Sequence, residues 1–566
     1  MNRLCHPVIL SKIETWLPKL MLTPLTTDQQ QWVDMTLNAM TLPQAAGQLL
    51  CPSNPRFTTD EWLALMQKVP LGTVNVRNYT TAETRERMQR MQDAAPIPLL
   101  VMGDMENGAN MLLDSTEFPR PMAVGAADDV ELARIMGEAT AAEARYAGQH
   151  CTWSPVIDLN YNFRNPITNV RALSDDPARV IRLATAIIEG MQAKGQIAAT
   201  AKHFPGDGMD DRDQHLATTI NNLSFADWQR TYGKVWRAAI AAGVMCVMPG
   251  HIALPDYQGY AAHPVDAPPA TLDAKLLNGL LRQELGFDGL IISDATAMIG
   301  LTSRVPTAQR AGAVINAGCD VYLFPDTLAD YEYLLDAVRN GQLPEARVWD
   351  AARRVLELKA RLNLHIDPFG PKPSAAQSGS YQQAAQTLAD KSMTMLRGAE
   401  QLPPALQPDS RVLTVTLGAV SQFSYLRPQP ELAAFDEALQ QRGFQVEHLL
   451  NPGDEELLAK SGEADVVFLN LLMLPYMVMG SIDNLVGHLG HWRWRSLFMD
   501  HPRVCYTAFG NPYVLHELPH LPNLLATYSE SVVSQRAAVK VWLGEIGAEG
   551  DCPVQMPAVR IQPLAA

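Results

Sequence analysis

The chain has 566 residues, of which 47% are hydrophobic and 19% charged, and its formal net charge is −15. This composition is typical of a globular protein, and the length exceeds the ~250–300 residues at which a single core stops growing. An acidic chain lacks the positive surface that nucleic acid or an anionic membrane attracts, so we expect neither as a partner.

The seven cysteines are scattered and form no CxxC pair or metal-ligand spacing, which predicts neither a disulfide framework nor a zinc site. Charged residues interrupt the first 25 positions, where a signal peptide would keep an apolar core. The longest apolar run, 466–480, is too short to span a bilayer and contains Asn470 and Pro475. We therefore expect a cytoplasmic protein without a membrane segment, present as a monomer or homodimer.

Residues 1–40 have the pattern of a helical extension, and strands then alternate with amphipathic helices up to about residue 365. This alternation indicates parallel strands with crossover helices. Eight strands favour a closed (β/α)8 TIM-like barrel, although a doubly wound sheet has the same pattern. The predicted strands are 46–51, 71–77, 97–103, 151–157, 197–203, 243–249, 289–293 and 319–324.

A proline-rich and glycine-containing stretch, 367–374, predicts a linker, and 381–396 predicts a helix that packs back on the barrel. A second, smaller α/β sandwich domain then follows, with strands at 412–417, 446–450, 466–471, 504–508 and 524–528. We thus divide the chain into an extension (1–40), a catalytic barrel (41–370), a linker with a docking helix (371–400) and a C-terminal domain (401–566).

Polar side chains follow several predicted barrel strands at the point where each strand ends. Asp104 follows strand three, Lys202 and His203 end strand five, His251 follows strand six and Asp294 follows strand seven. Function in such barrels collects at the carboxyl ends of the strands, and burying so many polar groups without a purpose would be costly. We expect a functional site there.

Two features of this set suggest catalysis. The Asp294 carboxylate should point into the barrel mouth, although from sequence it could equally cap the next helix. The glycine-containing loop 206–216 places Asp213 two residues before His215, so the carboxylate could fix the imidazole tautomer and leave one nitrogen to exchange a proton. A solvated acidic loop or a cation-binding loop has similar composition, but the terminal glutamate of a calcium loop is missing.

Three segments together resemble glycoside hydrolase family 3, in its bacterial N-acetyl-β-glucosaminidase (β-N-acetylhexosaminidase) branch of two-domain type. They are Lys202-His-Phe-Pro-Gly206, Asp213-x-His215 and the stretch 286–298 that contains Asp294. Supporting segments include 155–158, 169–171 and 316–320 in the barrel, and 509–513 and 526–529 in the second domain. The resemblance covers about residues 40–550.

The resemblance implies a retaining hydrolase that removes a terminal N-acetylhexosamine, with a role in cell-wall recycling. It makes Asp294 the nucleophile and His215 the general acid/base, assisted by Asp213. The partner is a carbohydrate or glycoside substrate, and no cofactor or metal is implied. Five residues are the candidate substrate-binding set, the last of them taken from the end of strand six: Asp104, Arg171, Lys202, His203 and His251.

Two positions depart from the family pattern. Asp207 stands where many relatives have histidine, and Ala109 stands where an arginine is common. Without that arginine, a substrate other than a plain GlcNAc glycoside is an alternative. Three alternatives therefore stay open: a β-glucosidase type with a glutamate acid from the second domain, a phosphorylase, and a sugar-binding protein on an inactive barrel. The intact Asp213-x-His215 sequence argues against the first of these, and the presence of Asp294 together with Asp213 and His215 argues against the last.

Overall fold

The computed structural model describes residues 22–401, 406–407, 409–418, 432–474, 503–519 and 521–556. These residues form an eight-stranded sheet and, later in the chain, a six-stranded sheet. The predicted N-terminal extension contains the helix Thr27–Ala39, and its residues 1–21 lie outside the described residues. The predicted domain limits at 40, 370 and 400 stay predictions.

The first sheet is a parallel barrel, which confirms the predicted architecture. The ten strands of this part of the chain are Leu50–Cys51 (β1), Thr73–Asn75 (β2), Leu100–Gly103 (β3), Cys151–Thr152 (β4), Ala198–Phe204 (β5), Thr219–Ile220 (β6), Cys246–Pro249 (β7), Ile252–Ala253 (β8), Leu290–Ala295 (β9) and Val321–Leu323 (β10). The barrel strands follow the order β1-β10-β9-β7-β5-β4-β3-β2, and a bridge between Ser53 and Asn75 brings the first and second strands together. The strands β6 and β8 form a separate short parallel pair.

All eight predicted barrel strands occur in place, but the first begins later than predicted. Residues 46–48 belong to the helix Leu42–Gln48, because Thr41 and Gln44 form a capping box that starts a helix there. The other helices of this part are Thr59–Lys68, Thr81–Ala94, Pro121–Ala127, Val130–Ala147, Pro177–Gln192, Phe225–Arg230, Tyr232–Ala241, Pro255–Gln258, Lys275–Glu284, Ile299–Thr302, Thr307–Ala317, Thr327–Arg339 and Glu345–Arg361.

The barrel interior is filled with apolar side chains. Alternate residues of the strands point inward and form one buried cluster that includes Met102, Met248 and Ile292, while their neighbours, such as Val101 and Ile291, pack against the helices. A filled barrel leaves its carboxyl end as the place where side chains can meet a ligand.

The second sheet confirms the predicted smaller α/β sandwich and adds an unpredicted edge strand. Residues 393–396 were predicted to be helical, but the helix Ala375–Ser392 ends before them and Thr394–Arg397 (β11) pairs antiparallel with β16. Two apolar clusters form around this sheet. The first contains side chains of the helices Ala433–Gln440 and Val532–Trp542, and the second contains side chains of the helices Asp454–Glu463 and Val514–Glu517. The remaining strands are Arg411–Gly418 (β12), Gln445–Leu450 (β13), Val466–Met473 (β14), Val504–Gly510 (β15) and Leu524–Ala526 (β16).

Candidate active site

Asp294 lies near the end of β9, at the carboxyl mouth of the barrel. Its Oδ1 accepts a hydrogen bond from the backbone N–H of Ala295 at 2.7 Å. Burial alone would raise the pKa of Asp294, but the nearby imidazoles of His203, His251 and His215 lower it below its ordinary value. The carboxylate is therefore ionised at neutral pH, as a nucleophile must be.

The loop that follows β5 brings Asp213 and His215 together. Nδ1 of His215 lies 2.7 Å from Oδ1 of Asp213, and the backbone N–H of His215 donates to the same oxygen at 2.7 Å. The Asp213 side chain is fully buried, whereas that of His215 is 18% exposed. A carboxylate acceptor fixes the proton on Nδ1, which leaves Nε2 of His215 available to exchange a proton with a ligand.

Backbone hydrogen bonds fasten this loop to the turn after Asp294. The N–H of Ile299 donates to the His215 carbonyl at 2.9 Å, and the N–H of Gly300 donates to the Gln214 carbonyl at 3.3 Å. These bonds hold the imidazole and the carboxylate at one mouth although the two residues are far apart in sequence.

His251 also holds this part of the site together. Its backbone N–H donates to Oε1 of Gln214, its Nε2 donates to the Ala295 carbonyl at 3.0 Å, and its Nδ1 lies 2.9 Å from Oγ1 of Thr271. Burial lowers the pKa of this imidazole. Protein atoms occupy both ring nitrogens, so neither nitrogen is left for the predicted sugar contact, and His251 positions the residues around Asp294.

Lys202 and Arg171 form a charged cluster with two acids. Nζ of Lys202 donates to Asp104 at 3.0 Å and lies 2.8 Å from Oε1 of Glu106, while Arg171 donates to both oxygens of Glu106 at 3.0 and 2.7 Å. Burial alone would raise the pKa of Glu106, but the two cations hold it well below its usual range. Asp104 is 41% exposed and can accept hydrogen bonds from a polar ligand.

His203 lies in a second Asp–His pair, which is buried. Its Nδ1 is 2.7 Å from Oδ2 of Asp158, and Oδ1 of Asp158 accepts from the backbone N–H groups of His203 and Asp207 at 3.2 and 2.7 Å. Oδ1 of Asp207 accepts from Asn165 and Gly208, and its Oδ2 is buried without a hydrogen bond in the described part of the chain. Burial, and then Asp158, raise the pKa of Asp207 to about 7.

The sequence interpretation did not select Glu106 or Asp158 as site residues. Glu106 lies three residues after β3, next to Asp104, and Asp158 ends a segment that carried only the family resemblance. An acid shortly after a barrel strand is the signal that both share. The second family departure, Ala109, is fully buried among apolar side chains and places no charge at the site.

Among the residues that the structure describes, no group of three or more histidine, cysteine or acidic side chains is arranged to hold a metal ion. The six cysteines in the described ranges are free thiols. None of the helices in those ranges is long and apolar enough to cross a membrane.

The barrel and its polar carboxyl mouth are those of a glycosidase family, as comparison with known proteins shows. The chain belongs to glycosyl hydrolase family 3, because residues 41–358 match the domain described as "Glycosyl hydrolase family 3 N terminal domain". This result confirms the family that the sequence motifs resembled.

Relatives of known name cover more than nine tenths of the chain. A protein of Cellulomonas fimi named "Beta-N-acetylglucosaminidase/beta-glucosidase" is 33% identical over 94% of this chain and 96% of its own length. The structure of "Beta-glucoside phosphorylase BglX bound to 2FGlc" is 30% identical with a TM-score of 0.84, covering 96% of this chain and 99% of that one. A family 3 β-N-acetylglucosaminidase from Paenibacillus sp. str. FPU-7 is 25% identical with a TM-score of 0.81, covering 92% and 100%.

Proposed function

We propose that this protein is a retaining glycosidase that removes a terminal β-linked N-acetylhexosamine, GlcNAc, through a covalent ester on Asp294. The observation that supports this most strongly is the His215–Asp213 pair held by backbone hydrogen bonds at the mouth that contains Asp294. The relatives named β-hexosaminidase and β-N-acetylglucosaminidase support the choice of sugar.

In the first step an Asp294 oxygen attacks the anomeric carbon. The glycosidic C–O bond breaks, and Nε2–H of His215 protonates the departing oxygen. In the second step the neutral imidazole takes a proton from water, the water oxygen attacks the anomeric carbon, and the bond to Asp294 breaks. Asp213 stabilises the imidazolium that alternates with the neutral ring, and the product retains its configuration.

The charged cluster and the buried pair form the sugar-binding side of this proposal. Asp104, Arg171, Lys202 and His203 bind the sugar hydroxyls, with Glu106 keeping both cations charged and fixed. His203 presents Nε2, because Asp158 accepts the proton of Nδ1. Cell-wall fragments that end in GlcNAc are the substrates we propose, in a cytoplasmic setting and with a monomer or homodimer as the active form.

The nucleophile assignment predicts that Asp294→Ala lowers turnover on the order of 10⁴-fold or more, because no covalent intermediate can form. The variant should keep the thermal unfolding midpoint of the parent to within a few degrees, since one carboxylate leaves a binding site and not the core. An activated fluoro sugar should label Asp294, as peptide mass mapping would show. Labelling of another carboxylate would contradict the assignment.

A second candidate is phosphorolysis, in which phosphate replaces water in the second step. It is favoured by the imidazole acid/base, which avoids the repulsion that a carboxylate exerts on phosphate, and by the similarity to a β-glucoside phosphorylase. Aryl N-acetyl-β-glucosaminide and aryl β-glucoside should each be assayed with and without inorganic phosphate. Free GlcNAc formed at the same rate in both buffers supports our proposal, whereas phosphate-dependent formation of a sugar 1-phosphate supports phosphorolysis.

A further inference from the structure

The second sheet contacts the barrel next to the loop 206–216, which contains Asp213 and His215 and is called the acid/base loop below. Tyr513 lies three residues after β15 and is only 4% exposed, and its backbone N–H is fixed by Oδ1 of Asn511 at 2.8 Å. Its phenol oxygen accepts a hydrogen bond from Nδ2 of Asn160 at 3.0 Å. The ring of Phe163, in the same barrel segment, lies 5.7 Å from the ring of Tyr513 and 4.3 Å from that of His516.

From Asn160 a chain of buried hydrogen bonds leads into the loop. The single hydroxyl proton of Thr168 is shared between two acceptors, Oδ1 of Asn160 at 2.8 Å and Oδ1 of Asn165 at 3.0 Å from Oγ1. Nδ2 of Asn165 then donates to Oδ1 of Asp207 at 2.7 Å and to the Asp210 carbonyl at 2.8 Å. Each link is short and lies in the interior, where a hydrogen bond fixes the groups that it joins.

The segment 160–168 also holds the loop through its backbone. The N–H of Asn162 donates to the Gly208 carbonyl at 2.8 Å, and its side-chain amide donates to the Met209 carbonyl at 3.1 Å. Residues 207–210 are therefore bound on one side by a segment whose other side rests on the second sheet. Asp213 and His215 follow within five residues of this anchored stretch.

We propose that Tyr513 is a positioning residue for the acid/base pair: it fixes the loop that carries His215 through Asn160, Thr168 and Asn165. The inference rests on the proposed role of His215 and gives the second sheet a part in that chemistry. An acid must lie within hydrogen-bonding distance of the leaving oxygen, and a displacement of about 1 Å can cost ~10²-fold in rate. Loss of Tyr513 should therefore affect protonation of the leaving group and spare attack by Asp294.

The test compares kcat/KM for two aryl glycosides of the same sugar, one with a poor and one with an activated leaving group. Tyr513→Phe keeps the ring but removes the acceptor of Asn160, and Thr168→Val breaks the middle of the chain at nearly constant volume. Each should lower kcat/KM for the poor leaving group roughly 5–15-fold, and for the activated one less than about 2-fold. The double variant should fall no further than the stronger single variant, because both act through the same chain.

Two controls separate this inference from its alternatives. Asp551→Asn weakens another contact between the barrel and the C-terminal part of the chain, the 2.6 Å ion pair of Asp551 with Arg179. It leaves residues 160–168 untouched, so both values of kcat/KM should stay unchanged. His215→Ala should give the same leaving-group discrimination as Tyr513→Phe, only larger. If His215→Ala discriminates and Tyr513→Phe does not, the inference about Tyr513 is wrong. If His215→Ala itself does not discriminate, the proposed acid/base role fails and the inference fails with it.

Discussion

The barrel mouth contains two Asp–His pairs with the same distance between imidazole nitrogen and carboxylate oxygen and with different surroundings. In both, Nδ1 of the imidazole lies 2.7 Å from a carboxylate oxygen. Asp213 and His215 are two residues apart on a loop, and the ring is 18% exposed. Asp158 and His203 come from different strand ends, and their side chains are 1% and 4% exposed. Identical hydrogen bonds thus occur in a partly open and a closed environment.

The difference in environment suits the two imidazoles to the different tasks that the proposed mechanism gives them. An accessible ring can exchange protons with a leaving group and with water, which general acid/base catalysis requires. The buried ring of His203 lies near the carboxyl of Asp207, whose pKa is raised, and is a fixed hydrogen-bonding group that is suited to hold one sugar hydroxyl. An Asp–His contact by itself therefore does not identify the acid/base, and its exposure must be considered as well.

The largest effect that separates the pairs is expected from His215→Ala. Substrates with poor leaving groups should lose ~10²–10⁴-fold in kcat/KM and activated aryl glycosides far less, because a good leaving group departs without a proton. Azide should partly restore turnover of activated substrates by intercepting the glycosyl ester. Asp213→Asn should show a milder form of this pattern, since the ring survives without its charged partner. Equal losses for both substrate types, without azide rescue, would make the loop a substrate clamp.

A smaller and differently shaped effect is expected from Asp158→Asn. The amide N–H₂ of asparagine would donate to Nδ1 of His203 and force the proton onto Nε2, so the ring would present a donor in place of an acceptor. We expect a loss of about 10–100-fold in kcat/KM, the value of about one hydrogen bond to a charged group, and the same loss for poor and activated leaving groups. Leaving-group dependence like that of His215→Ala would reverse the two assignments.

The smallest effect is on stability, and it concerns Asp207. Its pKa is raised to about 7 in the folded protein, so the protonated carboxyl is the form that folding favours. Its contribution to stability is fully present below the unfolded pKa of about 4 and is lost as the pH rises through about 7. Asp207→Asn imitates the neutral form at every pH, and should therefore raise the unfolding temperature at pH 8 relative to the parent but not at pH 4.

Thermal unfolding at both pH values tests this prediction. Asp211→Asn, an exposed position on the same loop, is the matched control and should unfold like the parent at both. A shift of equal size at pH 4 and pH 8 for Asp207→Asn would show that burial has not changed the titration of this carboxyl.

From the amino-acid sequence we could predict the eight barrel strands and the strands of the second sheet except β11, and we could select Asp294, Asp213 and His215 as candidate site residues. These depend on short-range information: apolar runs bounded by turns, polar residues at strand ends, and an acid two residues from a histidine. The edge strand β11 exists because β16 offers it a pairing partner, and such a partner does not appear in the local pattern that predicted a helix.

The contacts of the other residues at the barrel mouth depend on the tertiary structure. It placed Glu106 between Lys202 and Arg171, paired Asp158 with His203 across 45 residues, and occupied both nitrogens of His251. It also joined Tyr513 to the acid/base loop through side chains from a third segment. Burial and charge pairing depend on which chain segments are in contact in the folded protein, and contacts between distant segments cannot be derived from the spacing of residues in the sequence.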